Sequence, residues 1–332
     1  MPFAQMVLGP PGSGKTTYCN GMEQFLQANG RDVAVVNMDP ANERLPYTPA
    51  IDIMDMVCLE TVMEDLELGP NGGLVYCMEY IDHNFDWLEE RLQALEGKYV
   101  IFDFPGQVEL YTHERSVYNI LQKIQKLNYR ISVVHLVDAH HCTDSAKFIS
   151  VVMVSLSSMV RLELPHINVL SKMDLMEQYG KLAFNLEFYT DVLDLRYLLD
   201  RLDNPTDTEV DDDSVDYGES HDEASARRRE PTALAQKFRR MNEALIEVVE
   251  DFSLVNFYPL QIQDAESLQK LVQVIDKANG FVFTSVDWNT AVLKDYAFGD
   301  QVGDAQEKYL DTAQGEEDAA ALRKELQRAV QG

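Results

Sequence analysis

The eight residues Gly9–Thr16, GPPGSGKT, constrain this chain more than anything else in it. They fit the pattern G-x4-G-K-[ST], with an apolar run before them (Ala4–Leu8) and a helix-patterned stretch after them (Thr16–Asn29, closed by Gly30). Gly12 and Gly14 let successive backbone N–H groups turn inward as an anion nest. The helix that follows adds the partial positive charge of its N-terminus. Lys15 is expected to bridge β- and γ-phosphates and the Thr16 hydroxyl to ligate Mg²⁺, with Gly12, Ser13, Gly14 and Thr17 completing the cradle. The chain reads as one that binds a nucleoside triphosphate.

A strand–loop–helix unit of this kind needs a parallel sheet to sit in. Further runs at Val33–Asn37, Tyr99–Phe102, Ser132–Val137, Ile167–Leu170 and Val255–Leu260 are continuously apolar, as strands buried on both faces are. Helical patterns such as Phe148–Leu162 alternate with them, which predicts an α/β P-loop NTPase fold, a doubly wound, mainly parallel sheet flanked by helices. With 332 residues, 45% of them hydrophobic, the chain can build one large core. The expected domain spans residues 1–290. Within it, 203–231 (containing DDDSVDYGESHDE) has little to bury and reads as an acidic, disordered insertion. Residues 291–332 form an acidic tail in which Leu322, Leu326 and Val330 lie at i, i+4, i+8, the spacing of a weakly amphipathic helix.

The net charge of −28 argues against phosphate-backbone contacts, so no direct nucleic-acid or anionic-membrane partner is expected. It leaves room for one nucleotide in a local pocket. The scattered cysteines Cys19, Cys58, Cys77 and Cys142 form no CxxC pair and read as reduced thiols. His140–Cys142 (HHC) reads as a chance run rather than a metal fragment, because adjacent residues rarely converge on one ion. No run of about 18 apolar residues predicts a membrane span. The first residues lead straight into the strand, so no signal peptide is expected.

Two further elements narrow the nucleotide. NVLSKMD closes an apolar run, and its Ser171, Lys172, Met173 and Asp174 resemble the [NST]-K-x-D element of GTPases. There the Asp accepts from guanine N1–H and the exocyclic amine while the Lys stem covers the base. Adenine has no such donor pair on that edge, so the carboxylate would be left unpaired at a cost of roughly 1–3 kcal/mol. In FDFPGQVE, Asp103 stands where a strand-end carboxylate holds Mg²⁺ through water, and the Gly106 N–H can sense the γ-phosphate. Gln107 follows as in the D-x-x-G-Q element of Ras-like GTPases, where it orients attacking water, with Glu109 placed to steady that water or the Gln. In VVNMDPANE, Asp39 at a strand tip can reach either the Mg²⁺ shell or the nucleophilic water.

The segment LGPNGGLVY, Leu68–Tyr76, carries the turn residues Gly, Pro and Asn between helix-like stretches and reads as a stiff loop tip. Together GPPGSGKTT, NMDPANE, LGPNGGLVYCMEY, DFPGQVELYTH and LPHINVLSKMDL resemble the GPN-loop GTPases, from residue 2 to about 290. The resemblance implies a dimeric, Mg²⁺-dependent enzyme that hydrolyses GTP to GDP and phosphate. In it the loop Gly69, Pro70 and Asn71 enters the partner's active site, and Asn71 bonds the γ-phosphate or the departing phosphate. It also implies that Pro259 and Leu260 complete the guanine pocket, and that the partner is a second copy or a related GPN-loop protein. Family members are linked to the assembly and nuclear import of RNA polymerases II and III, which implies partners among polymerase subunits or assembly factors. The location implied is the cytoplasm, with exchange into the nucleus. Two rival readings are a P-loop kinase, which needs an acceptor site and lid arginines, and a nucleotide-gated scaffold with negligible turnover.

Overall fold

The computed structural model describes residues 2–180, 182–192, 194–203, 233–252 and 254–284. The acidic insertion beyond Asp203 and the tail 291–332, with Leu322, Leu326 and Val330, lie outside the described residues. Seven parallel strands form one sheet: β1 (Phe3–Leu8), β2 (Val33–Asn37), β3 (Ile51–Asp52), β4 (Tyr99–Asp103), β5 (Arg130–Asp138), β6 (His166–Ser171) and β7 (Phe257–Pro259). Their order is β3-β2-β4-β1-β5-β6-β7, so the chain winds to one side of β1 and then to the other. The six apolar runs are strands to within two residues at each end, while β3 has only two residues and no run of its own to announce it.

The helices are α1 (Lys15–Ala28), α2 (Leu59–Leu66), α3 (Pro70–His83), α4 (Phe85–Gln93), α5 (Glu109–Thr112), α6 (Ser116–Lys126), α7 (Ser145–Leu162), α8 (Met176–Tyr179), α9 (Leu186–Asp191), α10 (Arg196–Asp203), α11 (Ala233–Phe252) and α12 (Ala265–Asn279). Alternate residues of a strand face opposite sides. Thus Met6 and Leu8 pack with Leu74, Met78, Ile81 and Ile120 from α3 and α6, while Phe3 and Val7 pack with Tyr18, Met22 and Ile275 from α1 and α12. A third cluster gathers α7, α9 and α11 over β6 and β7 through Phe148, Tyr189, Ile246 and Phe257. Over an 18-residue window α7 is apolar enough to cross a membrane, with mean hydropathy 1.4, a property the run-based reading passed over. Its Phe148, Ile149, Val152, Leu156 and Leu162 are buried in the protein's own core.

The Gly-Pro-Asn segment departs from its expected form. It is not a turn tip: Gly69 is the N-cap and Pro70 the first residue of α3, a 14-residue helix. Proline at that position has the helical φ already fixed and lacks only an N–H that would be unsatisfied anyway. The chain reverses just upstream, where Glu67 closes α2 in the left-handed region at φ 53°.

Polar ties cross the layers. Gln5, wholly buried in β1, accepts from the Tyr18 hydroxyl at 2.9 Å and donates to Tyr99 at 3.0 Å. Arg31, just after α1, pairs with Asp276 of α12, with one N–O contact at 2.9 Å, and stacks 4.2 Å over the Phe281 ring. Asp276→Ala strands that guanidinium in a mostly buried place. Denaturant unfolding should show a loss of about 2–3 kcal/mol, below the full cost of a broken buried pair because Arg31 keeps some contact with water.

Candidate active site

The glycine loop, Asp39, Asp103–Gln107 and Ser171–Asp174 all lie at or just beyond the carboxyl ends of strands, the edge where open α/β sheets bind ligands. β1 ends at Leu8 and passes into the glycine loop. Gly9 has φ 145°, and a Cβ there would stand 2.3 Å from the Leu136 carbonyl oxygen of β5 and 2.7 Å from Ser13 Oγ. Only a residue without a side chain lets the loop leave the sheet so close to its neighbour strand. Gly12 (φ 80°) and Gly14 (φ 91°) are also left-handed, but a Cβ on either would meet nothing within 4 Å. The loop is thus tight where Gly9 touches the sheet and open around Gly12 and Gly14.

Lys15 is buried at the start of α1, its ammonium donating to the carbonyls of Gly9 (3.1 Å) and Pro10 (3.3 Å). Burial pushes it below the usual ammonium range, against the opposing pull of Asp103 and Asp39. Asp103 ends β4 with its Oδ2 2.8 Å from the Tyr47 hydroxyl, and Thr16 bonds it as well. Burial raises the carboxyl of Asp103, and also that of Asp39, whose Oδ1 accepts from the Ala41 N–H at 3.0 Å. Buried Asn37, paired in register with both Asp52 and Asp103, holds the Asp39 turn by accepting its N–H at 3.1 Å while donating to Asp52 Oδ1 at 2.8 Å. Asn42 donates to Thr16 Oγ1 at 3.2 Å. A hydroxyl and two carboxylates sharing one field are the hard oxygen donors that Mg²⁺ takes, so the residues fit that ion.

Gly106 closes this half of the site. A Cβ there would lie 2.9 Å from Lys15 Nζ and 3.1 Å from the Pro11 nitrogen, so the segment after β4 rests directly on the glycine loop. Gln107 follows, half-buried, and donates to Asn71 Oδ1 at 3.5 Å within the same chain. Glu109, exposed, opens α5. Gly69, Pro70 and Asn71 are all exposed, and exposed Thr17 lies on the first turn of α1.

The base motif ends β6. The Ser171 hydroxyl lies 2.8 Å from the Ser13 carbonyl and 3.0 Å from that of Val137, tying this strand end to the glycine loop. Lys172 follows in the left-handed region at φ 61°, with its Nζ 2.6 Å from Asp138 Oδ2. Met173 is buried and Asp174 exposed. Leu260 meets this motif through its backbone, donating to the Leu170 carbonyl at 2.8 Å and accepting from the Met173 N–H at 3.4 Å, while its side chain is core. Pro259, half-buried, accepts from the Ser267 hydroxyl at 3.5 Å. Of the HHC run, Cys142 packs in the core and the His140 ring lies 5.0 Å from that of Tyr179. Among the described residues no three His, Cys, Asp or Glu gather as a metal cage.

Sequence reasoning missed Asn37, Asn42, Tyr47 and Asp138. Asn37 and Asn42 flank Asp39 inside a motif already noticed, while Tyr47 carries no local signal and reaches Asp103 only through the fold.

A profile described as "Conserved hypothetical ATP binding protein" matches residues 7–281. The chain is 51% identical over 316 residues to GPN-loop GTPase 2 of Danio rerio, covering 93% of each. It is 49% identical over 315 residues to a GPN-loop GTPase 2 homolog of Dictyostelium discoideum, covering 93% of this chain and 91% of that one. With GPN-loop GTPase 2 of Saccharomyces cerevisiae it shares 42% over 340 residues, covering 98% and 90%. Among solved structures, a GTPase of Pyrococcus abyssi in its apo form superimposes with TM-score 0.60 at 22% identity, covering 86% of this chain and 98% of that one, which bears on the fold.

The glycine geometry separates two substitutions. Gly9→Ala drives a methyl into the Leu136 carbonyl and should cost at least about 3 kcal/mol in urea unfolding. Gly12→Ala pays only the left-handed strain, about 1–2 kcal/mol, but that strain falls on the nest whose N–H groups a phosphate needs. Fluorescent-nucleotide titration should show its triphosphate binding largely lost while the fold survives.

Proposed function

The chain belongs to the GPN-loop GTPases and is a GTP hydrolase, and we propose that it works as a dimer in which each protomer lends Asn71 to its neighbour's cleft. The observation that carries the nucleotide reading is the convergence of the glycine loop, Asp39, Asp103 and Gly106 on Lys15, joined to the base motif by the Ser171–Ser13 contact. The family profile's description names ATP. The Ser171–Asp174 element favours guanine, because only guanine offers Asp174 two donors.

In this mechanism the backbone N–H groups of Gly12–Thr17 hold the phosphates and Asp174 fixes the base. Lys15 exchanges its bonds to the Gly9 and Pro10 carbonyls for β- and γ-phosphate oxygens. Mg²⁺, when bound, neutralises phosphate charge, and Thr16, Asp103 and Asp39 are the residues that would hold it. Gln107 orients the attacking water, with Asp39 and Glu109 as electrostatic or basic helpers. The amide of Asn71 meets charge developing on the phosphoryl group, the part an arginine finger plays elsewhere. Its exposure supports presentation to a second protomer. So do exposed Leu66, Tyr76 and Tyr80 on α2 and α3 beside it, apolar surface that pairing would cover. The second protomer is a copy of this chain or a related GPN-loop protein. The output we propose is assembly and nuclear import of RNA polymerases II and III from the cytoplasm, supported by family membership.

Asn71→Ala should keep GTP affinity and lower single-turnover hydrolysis roughly 10²-fold, the scale of one lost transition-state donor. Mixing it with Lys15→Ala protein, which has an intact Asn71 but cannot bind triphosphate, should restore part of the rate. An Asn71 that served its own cleft, as its contact with Gln107 allows, would give no rescue on mixing. For the base, Asp174→Asn should relax the preference for GTP over ATP in competition binding, and unchanged discrimination would remove Asp174 from the guanine site.

A further inference from the structure

Lys172 is an unlikely residue for its conformation. At φ 61° and ψ 39° it is left-handed without being glycine, a strain that persists only where the surroundings hold it. What holds it is visible. Asp138 is the last residue of β5 and pairs in register with Ser171, so its side chain emerges beside the residue that precedes Lys172. One carboxylate oxygen, Oδ1, accepts the His140 N–H at 2.9 Å and fixes the rotamer. The other, Oδ2, takes the Lys172 ammonium at 2.6 Å. The carboxylate is about one-fifth exposed and the lysine about one-third, so the bond is partly shielded from water. The long stem of Lys172 is thereby stretched between its own backbone and the end of the neighbouring strand. Tyr179 lies in the same patch: burial, then the carboxylates of Asp138 and Asp174, push its phenol up while Lys172 pulls the other way. The His140 ring packs edge-on against it at 5.0 Å.

We propose that Asp138 is a positioning residue for nucleotide-base recognition, anchoring the Lys172 ammonium so that the lysine stem forms a fixed shelf beside Asp174. This rests on the assignment of Ser171–Asp174 as the guanine site. A free lysine stem would lose rotamer entropy each time a base settled on it, whereas an anchored one has lost it during folding. Asp138 needs no contact with the nucleotide to act in this way. The same anchor fixes the left-handed residue immediately before Met173 and Asp174, and so the direction from which the Asp174 carboxylate meets the base edge.

The test is calorimetric titration of the full chain with GDP and ADP, for Asp138→Asn, Lys172→Ala, the double variant and Asp174→Asn. Asp138→Asn keeps an oxygen for the His140 N–H and sets an amide nitrogen, which cannot accept, toward Lys172, so the anchor is lost while the melting temperature should stay near that of the parent. GDP affinity should fall about tenfold for Asp138→Asn and for Lys172→Ala, the size of one charge-assisted contact. The double variant should be no weaker than Lys172→Ala alone, because the aspartate acts through the lysine. Unchanged GDP affinity in Asp138→Asn, or full additivity in the double variant, overturns the proposal. Should Asp138→Asn fold poorly, Asp138→Ser, which also caps His140 but cannot reach Lys172, replaces it in the same cycle. Asp174→Asn separates the two levels. If it leaves the guanine preference intact, the base-site assignment fails and the anchor with it. If it abolishes that preference while Asp138→Asn changes nothing, the anchor alone fails.

Discussion

One buried ammonium organises the phosphate half of this molecule. Lys15 sits among the carbonyls of its own loop with the carboxylates of Asp39 and Asp103 in its field, and burial works against the charged form of all three. Two carboxylates that close would be costly without the lysine, and the lysine would be costly without them. The strand ends that deliver these groups are therefore coupled: moving β4 or the Asp39 turn unbalances Lys15. A triphosphate would bring several more negative charges to the same place, which a divalent cation would offset, and the Thr16 side chain is already bonded to Asp103.

The sheet explains why residues so far apart in sequence meet. The register pairing Asn37 with Asp103 sets the carboxylate half of the site, and the register pairing Asp138 with Ser171 sets the base half. A slip of one residue in either ladder would turn these side chains to the opposite face. The β1–β5 ladder joins the two halves along the sheet, and at the strand ends they are tied by the Ser171 hydroxyl at the Ser13 carbonyl and by the close passage of Gly9 under Leu136. Both contacts are made by backbone carbonyls, which cannot adapt by changing rotamer, so phosphate and base positions stay in fixed relation.

Much of this was legible in the sequence because buried parallel strands leave continuous apolar runs, and β1, β2, β4, β5, β6 and β7 all do. The two-residue β3 leaves none, since a ladder that short is set by its neighbours rather than by its own composition. Leu68–Tyr76 misled for a different reason: proline serves both the second position of a turn and the first of a helix, and local chemistry does not choose between them. α3 wins because Leu74, Cys77, Met78 and Ile81 behind the proline share one buried face. Motif residues were legible where their chemistry repeats in many proteins. Tyr47, Asn42 and Asp138 were not, because a tyrosine bonded to Asp103 or an aspartate bonded to Lys172 is a fact of strand order.

The contrast between the depth of the site and its rim bears on how it is completed. Lys15 and Asp103 are buried, whereas Asn71 and Glu109 are exposed. Electrostatic stabilisation of a phosphoryl transition state is strongest where water is excluded and the donors are fixed. A lone protomer of this shape has a well-organised phosphate floor under an open roof. The Asn71–Gln107 contact at 3.5 Å is long and lies in solvent, too weak to fix either amide. A second protomer set against the α3 face would bury both amides and shed the water around them. The rate would then depend on pairing, while the affinity for nucleotide would depend on the floor alone.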